Sequence, residues 1–261
     1  MTGFCAGAAT TVGRVRRVNE DSYLISPLLY AVADGMGGHG SGDVASALAI
    51  GALQDRARLH PLSADAVFAG LYQANRVIVQ AAAQRGNADG MGTTITGLAL
   101  IETSGGIHLM VFNIGDSRVY RLADGRLDQI TVDHSEAQEL VVAGQLTRAE
   151  ARTYPRRNII TRALGSAPPP APDHWLLPAI AGDRYLLCSD GLFSELTDDQ
   201  ILPLLTAGDP QHAADTLVAA ANDAGGRDNI TVIVVAVDQD EGDDRAAEDD
   251  TIPRDLPPGG P

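Results

Sequence analysis

Four times in this chain a strand-like run of apolar or β-branched residues meets an aspartate beside glycine or asparagine. LLYAVAD ends at Asp34, HLMVFNIGD at Asp116 and YLLCSD at Asp190, while DNITVIVVAV begins with Asp228. Three of these aspartates follow their runs and one precedes its own, so antiparallel packing brings all four to a single edge. The pattern therefore constrains the fold to buried sheet with carboxylates gathered at one end.

Such a site is anionic. Two carboxylates about 4 Å apart repel by roughly 4 kcal/mol at an effective dielectric near 20, and more where water is scarce. Counter-charge is needed, and hard oxygen ligands on glycine-flexed turns suit Mg2+ or Mn2+. Any one Asp-Gly pair is an ordinary turn; four of them at strand ends point to a divalent-cation site.

Composition removes competing classes. A formal net charge of −15 over 261 residues argues against nucleic-acid binding. All 19 basic residues are arginine, so lysine-dependent phosphate loops and Schiff bases are excluded. The positions six residues after Cys5 and Cys188 are Thr11 and Ser194, not the arginine a cysteine-dependent phosphatase requires. Two cysteines suggest no disulfide framework, and no membrane-length apolar run or signal pattern is visible, so a cytoplasmic protein without membrane contact is expected. Gly35, Gly37 and Gly40 formally fit a dinucleotide fingerprint, but Asp34 would repel a pyrophosphate there and regular βαβ alternation is lacking. Residues 238–261 carry nine acids and two arginines among Pro and Gly, which predicts a disordered tail behind a folded domain over 1–237.

Along the domain, the spacing predicts a first strand near 8–13, helices over 41–58 and from Ser63, and a hairpin through residues 104–106. A second hairpin turns at Asp124 and Gly125, and short helices follow over 135–143 and 147–152. A Pro-rich connection over 168–172 leads to a strand around Leu186, then helices over 198–205 and 210–223 and a strand over 230–237. Hairpins grouped apart from helix pairs indicate an α+β protein with antiparallel sheets.

Taken together and in order, RVNEDSY, VADGMGGHGSGDVAS, GMGTTITGLAL, NIGDSRVYRL, TVDHS, RNIITRALG, LLCSDGLFSEL and GGRDNITVIVV resemble the metal-dependent type 2C protein serine/threonine phosphatases, in the bacterial branch of that PPM family. The resemblance implies an αββα four-layer sandwich and a centre of two Mn2+ or Mg2+ ions with room for a third. By position, Asp34 matches the bridging carboxylate, Asp190 and Asp228 the other ligands of the first ion, and Glu20 and the Gly35 carbonyl those of the second. Asp116 matches a third-ion ligand, Asp21 a supporting acid, and Arg16 the phosphate-gripping arginine.

The implied activity is hydrolysis of phosphoserine and phosphothreonine in proteins by a metal-activated water, opposing a cognate serine/threonine kinase and carried out by a monomer. The alternatives are a non-catalytic phosphoprotein-binding relative and a small-molecule phosphatase. Many relatives carry a histidine two residues after the bridging aspartate as general acid; this chain has Met36, and His39 is the nearest histidine in sequence. General acid catalysis contributes typically about 10²- to 10⁴-fold, so its loss slows such an enzyme without removing most of its rate. His134, Thr93, Thr94, Ser117 and Asn229 are read as structural hydrogen-bonding residues. The stretch matching the family's variable flap, about 136–165, holds five arginines between Arg148 and Arg162 against one acid, Glu150, and is a candidate guide for phosphorylated segments.

Overall fold

The eight residues of the last strand, Ile230–Val237, are all buried, which requires a layer on each side of it. A computed structural model, describing residues 3–37, 41–85, 90–103 and 106–238, supplies both layers. Strands β1 (Phe4–Thr11), β11 (Ile230–Val237), β10 (Arg184–Cys188), β7 (Arg118–Ala123) and β8 (Arg126–Gln129) form one antiparallel sheet in that order. The other runs β2 (Asp21–Ser26), β3 (Leu29–Met36), β5 (Ile95–Thr103), β6 (Gly106–Ile114), β9 (Asp173–Pro178), with the short β4 (Gly92–Thr93) beside β3.

Strand periodicity sorts the core into three apolar layers. Tyr30, Val32, Leu98 and Val111 from one sheet meet Val119, Leu187, Ile233 and Val235 from the other between the sheets. Their neighbours in sequence point outward: Ala31 and Ala33 against helices α1 (Gly42–Ala57) and α2 (Ala64–Gln84), and Val232 and Val234 against α6 (Asp198–Thr206) and α7 (Pro210–Ala224). Each valine, leucine or isoleucine among them, fully buried, is worth about 1.5–3 kcal/mol. The result is the αββα sandwich expected from the sequence.

Local chemistry explains the element ends. Ser63 caps α2 by accepting from the Ala66 N–H, and Asp124 and Gly125 both adopt positive φ to turn the β7–β8 hairpin. In the flap, α3 (Glu136–Val142) starts at Ser135, while α4 (Arg148–Thr153) is closed by a reciprocal capping box between Thr147 and Glu150. Three elements were not foreseen. The two-residue β4 and the single-turn α5 (Asp190–Phe193) are too short for periodicity to reveal. β9 follows the Pro-rich stretch where only a connection was expected, yet it pairs with β6 from His108↔Pro178 to Asn113↔Asp173 as an edge strand with alternating burial. The first strand also starts earlier, at Phe4, because Phe4 pairs with Val237 across the whole length of β11. The tail from residue 239 onward and His39 lie outside the described residues.

Gly97 illustrates how tightly the sheet is filled. A Cβ there would overlap the ring of Phe112, its cross-strand partner, which lies over the glycine and is itself fully buried. Gly97→Val should therefore lower unfolding free energy by at least about 2 kcal/mol through overpacking, measured by urea denaturation, and adding Phe112→Leu should recover part of that loss.

Candidate active site

The acids come together through backbone register. Asp21 at the start of β2 stands directly opposite Asp34 near the end of β3. Asp190 opens α5 just after β10, and Asp228 lies two residues before β11, at the same end because those strands run antiparallel. Asp116 follows β6, which runs alongside β3 in the same direction through β5 between them.

Polar clamps hold these turns in place. The Asp34 N–H donates to the Thr94 hydroxyl at 3.0 Å, and the Asp34 carbonyl accepts from both the Thr94 N–H and the Thr93 hydroxyl. Thr94 in turn shares a 2.7 Å hydrogen bond with Ser117, tying the β3 end to the Asp116 turn. The Ser189 hydroxyl donates to Asp21 at 2.8 Å and accepts from the Thr231 N–H. Asn229 fixes the loop carrying Arg16 and Glu20: its amide donates to the carbonyls of Val12 and Val18, and its oxygen accepts from the Glu20 N–H. A Cβ on Gly35 would strike the carbonyls of Gly42 and Glu20, so only glycine lets the end of β3 lie against the Glu20 loop and the start of α1.

The electrostatics record the crowding. Burial, then the charges of Asp21, Asp190, Asp116 and Asp228, hold the Asp34 carboxyl well above the ordinary range. Burial and Asp228 push Asp190 up to about 6, against a hydrogen bond with Asp34 and the attraction of Arg16. Burial pushes Asp21 up to about 7 despite hydrogen bonds from Thr231 and Ser189. Asp116 is raised by burial and by Asp190. Arg16 spans the mouth, its guanidinium 2.6 Å from Asp228 and half exposed. Although partial burial opposes its charge, Asp228, Glu20 and Asp190 keep it protonated.

These groups fit a divalent cation. Oδ1 of Asp21 and Oδ1 of Asp116 are buried and accept no hydrogen bond among the described residues, and the donors are hard oxygens in mutual repulsion. No three acidic, histidine or cysteine side chains already close around one point among the described residues. The carboxylates are near neighbours that a cation would have to draw together, and Arg16 lies against one of them.

His134 is buried and fully committed. Its Nδ1 accepts from the Gly115 N–H at 3.0 Å, which leaves the proton on Nε2 for Asp173 at 3.1 Å. Burial lowers its pKa, and it serves as a bolt, not a proton donor. Arg118 was not singled out from the sequence. It grips Asp133 with Nε and Nη2, touches the Tyr120 hydroxyl and stacks over Phe193 at 3.7 Å, so it braces the short helix that carries Asp190.

Residues 17–223 match the family model described as protein phosphatase 2C. The chain belongs to the protein phosphatase 2C family. Arg16 and Asp228 flank the matched stretch and are joined to each other across the mouth. Among curated relatives, the serine/threonine protein phosphatase PstP of Mycobacterium tuberculosis is 41% identical over 234 residues, which cover 88% of this chain. This chain spans only 44% of that protein's length. The serine/threonine phosphatase stp of Listeria monocytogenes is 35% identical over 241 residues, covering 88% of this chain and 94% of that protein. A crystal structure of the PstP catalytic domain in complex with two manganese ions superposes with a TM-score of 0.82 at 37% identity, over 92% of this chain and all of that one.

The raised acids make this protein phosphatase 2C domain pH-sensitive in a defined direction. In the metal-free state Asp34, Asp190 and Asp21 bind protons more tightly folded than unfolded, so stability falls as pH rises through their folded values. The metal-free protein should melt a few degrees higher at about pH 6.5 than at about pH 8, by calorimetry, and saturating Mn2+ should abolish or reverse the difference, because cation binding displaces those protons.

Proposed function

We propose that this chain hydrolyses phosphoserine and phosphothreonine in proteins, using two divalent cations, Mn2+ or Mg2+, held at the acid-lined end of the sandwich. The observation that carries this reading is the convergence of Asp34, Asp116, Asp190 and Asp228, with a bare buried oxygen on Asp116 and another on Asp21 opposite Asp34, in a family whose solved relative binds two manganese ions. In this reading Asp34, Asp190 and Asp228 would hold one ion, and Asp34 with Glu20 and the Gly35 carbonyl the other. Asp116 serves a third ion and Asp21 supports the cluster from behind. Bound there, the cations supply Lewis acidity and lower the pKa of water.

The remaining chemistry belongs to side chains. Arg16 spends one N–H on Asp228, which leaves donors of its fork for phosphoryl oxygens. Met36 offers no proton to a leaving group, and His134 is already occupied by Gly115 and Asp173. Every acid position implied by the family is filled, which favours catalysis over a purely binding role. Two free cysteines suit a reducing compartment, and no helix among the described residues is long and apolar enough to cross a membrane; we place the protein in the cytoplasm, acting as a monomer against a cognate serine/threonine kinase.

A phosphothreonine peptide should be turned over with Mn2+ and not after EDTA treatment, and Asp190→Asn should need more Mn2+ for half-maximal rate while lowering kcat; full activity in EDTA would refute the reading. Arg16→Ala should lower kcat/KM by about 10- to 100-fold, the worth of one or two charge-assisted hydrogen bonds, measured by steady-state kinetics.

A further inference from the structure

The flap arginines do not behave alike. Arg156 is paired with Glu136 at 2.6 Å and Arg162 with Asp173 at 2.8 Å. Arg148, Arg152 and Arg157 make no ion pair among the described residues, and all three are exposed. They line a cleft of about 310 Å³ that Asp116 and Asp190 also line. That volume lies at the small end of the range for ligand sites, and the cleft is continuous from the proposed catalytic acids to the cationic flap.

Charge decides what such a cleft accepts. Of the other acids along it, Asp133 is neutralised by the two-pronged grip of Arg118, which leaves Asp198, in the first turn of α6, to be set against Arg148, Arg152 and Arg157. The chain as a whole is strongly acidic, with a net charge of −15, so its long-range field opposes the approach of an acidic peptide. Arg148 and Arg152 on the short capped α4, with Arg157 just beyond it, make no ion pair among the described residues and supply positive charge along this cleft.

We propose that this cleft docks acidic residues flanking the phosphorylated side chain, so that the substrate class is phosphoserine or phosphothreonine in an acidic segment. The inference rests on the phosphatase reading for the identity of the bound residue, but its docking component is measurable by binding alone. Carboxylates two or more residues from the phosphoresidue sit on Arg148, Arg152 and Arg157 through charge-assisted hydrogen bonds, while the phosphoryl group faces Arg16 and the acids.

The test compares three fluorescent phosphothreonine peptides, with neutral flanks, with Asp and Glu flanks, and with a second phosphothreonine in place of those acids. Binding by anisotropy and kcat/KM are measured on Mn2+-loaded wild type and on the triple variant Arg148→Gln, Arg152→Gln, Arg157→Gln. Wild type should favour the acid-flanked peptide over the neutral one by about tenfold at low salt, the lower end of what a charge-focusing cleft gives, and the preference should shrink in high salt. The triple variant should bring the ratio to near one, and the single Arg152→Glu variant should also reduce it, which guards against misfolding of the triple. Equal binding of the neutral and acidic peptides by wild type, or a preference that survives in both variants, would overturn the proposal. So would a preference for the second phosphoryl group with none for carboxylates. Arginine-dependent binding without turnover would uphold the docking cleft and refute the catalytic reading instead.

Discussion

Mutual repulsion among buried carboxylates is the constraint around which this molecule is arranged. Left to themselves, Asp34, Asp190, Asp21 and Asp116 would separate or take up protons, and their pKa values, raised by burial first and by neighbouring charge second, record the latter response. The fold denies them the first. Each sits at the end of a strand whose position is fixed by a full ladder of pairing, and each turn is pinned by a neutral side chain: Thr94 on the backbone of Asp34, Ser189 on Asp21, Asn229 on the loop before β2. The three apolar layers offset the cost at a distance, so stability resides in the middle of the sandwich and strain at its end.

Much of this was legible in the sequence because the informative segments are long and two-sided. The last strand could be placed to the residue, since seven apolar positions and one threonine over eight residues, six of them β-branched valine or isoleucine, fit a strand covered on both faces. The gathering of Asp34, Asp116, Asp190 and Asp228 followed from which side of its run each occupies. The pinning residues were less visible. Asn229 and Thr94 could be read as structural, but the loop and strand they secure lie 211 and 60 residues away. Arg118 gave no signal at all, because a buried arginine is recognisable only once Asp133 and Phe193 are seen on either side of it. β9 was hidden because it is an edge strand bounded by prolines, where alternation is too brief to separate from a loop.

The flap shows how little a cluster of like charges in sequence says about their fate. Five arginines fall within fifteen residues, yet the fold sends two to acids and leaves three beside the cleft. Helical spacing is part of the reason: Arg148 and Arg152 are four residues apart and share a face of α4, and Arg156 falls beyond the helix, within reach of Glu136 on α3.

One chain of contacts crosses the boundary between flap and sheet. Arg162 holds Asp173, Asp173 holds His134, and His134 holds the backbone of Gly115, the residue before Asp116. The His134 backbone also bonds to Gly115 and to Thr161, so the linkage is doubled. A lid joined to its frame in this way is not a loose cover but a lever: force applied at its root is delivered, three side chains later, to the turn that carries Asp116.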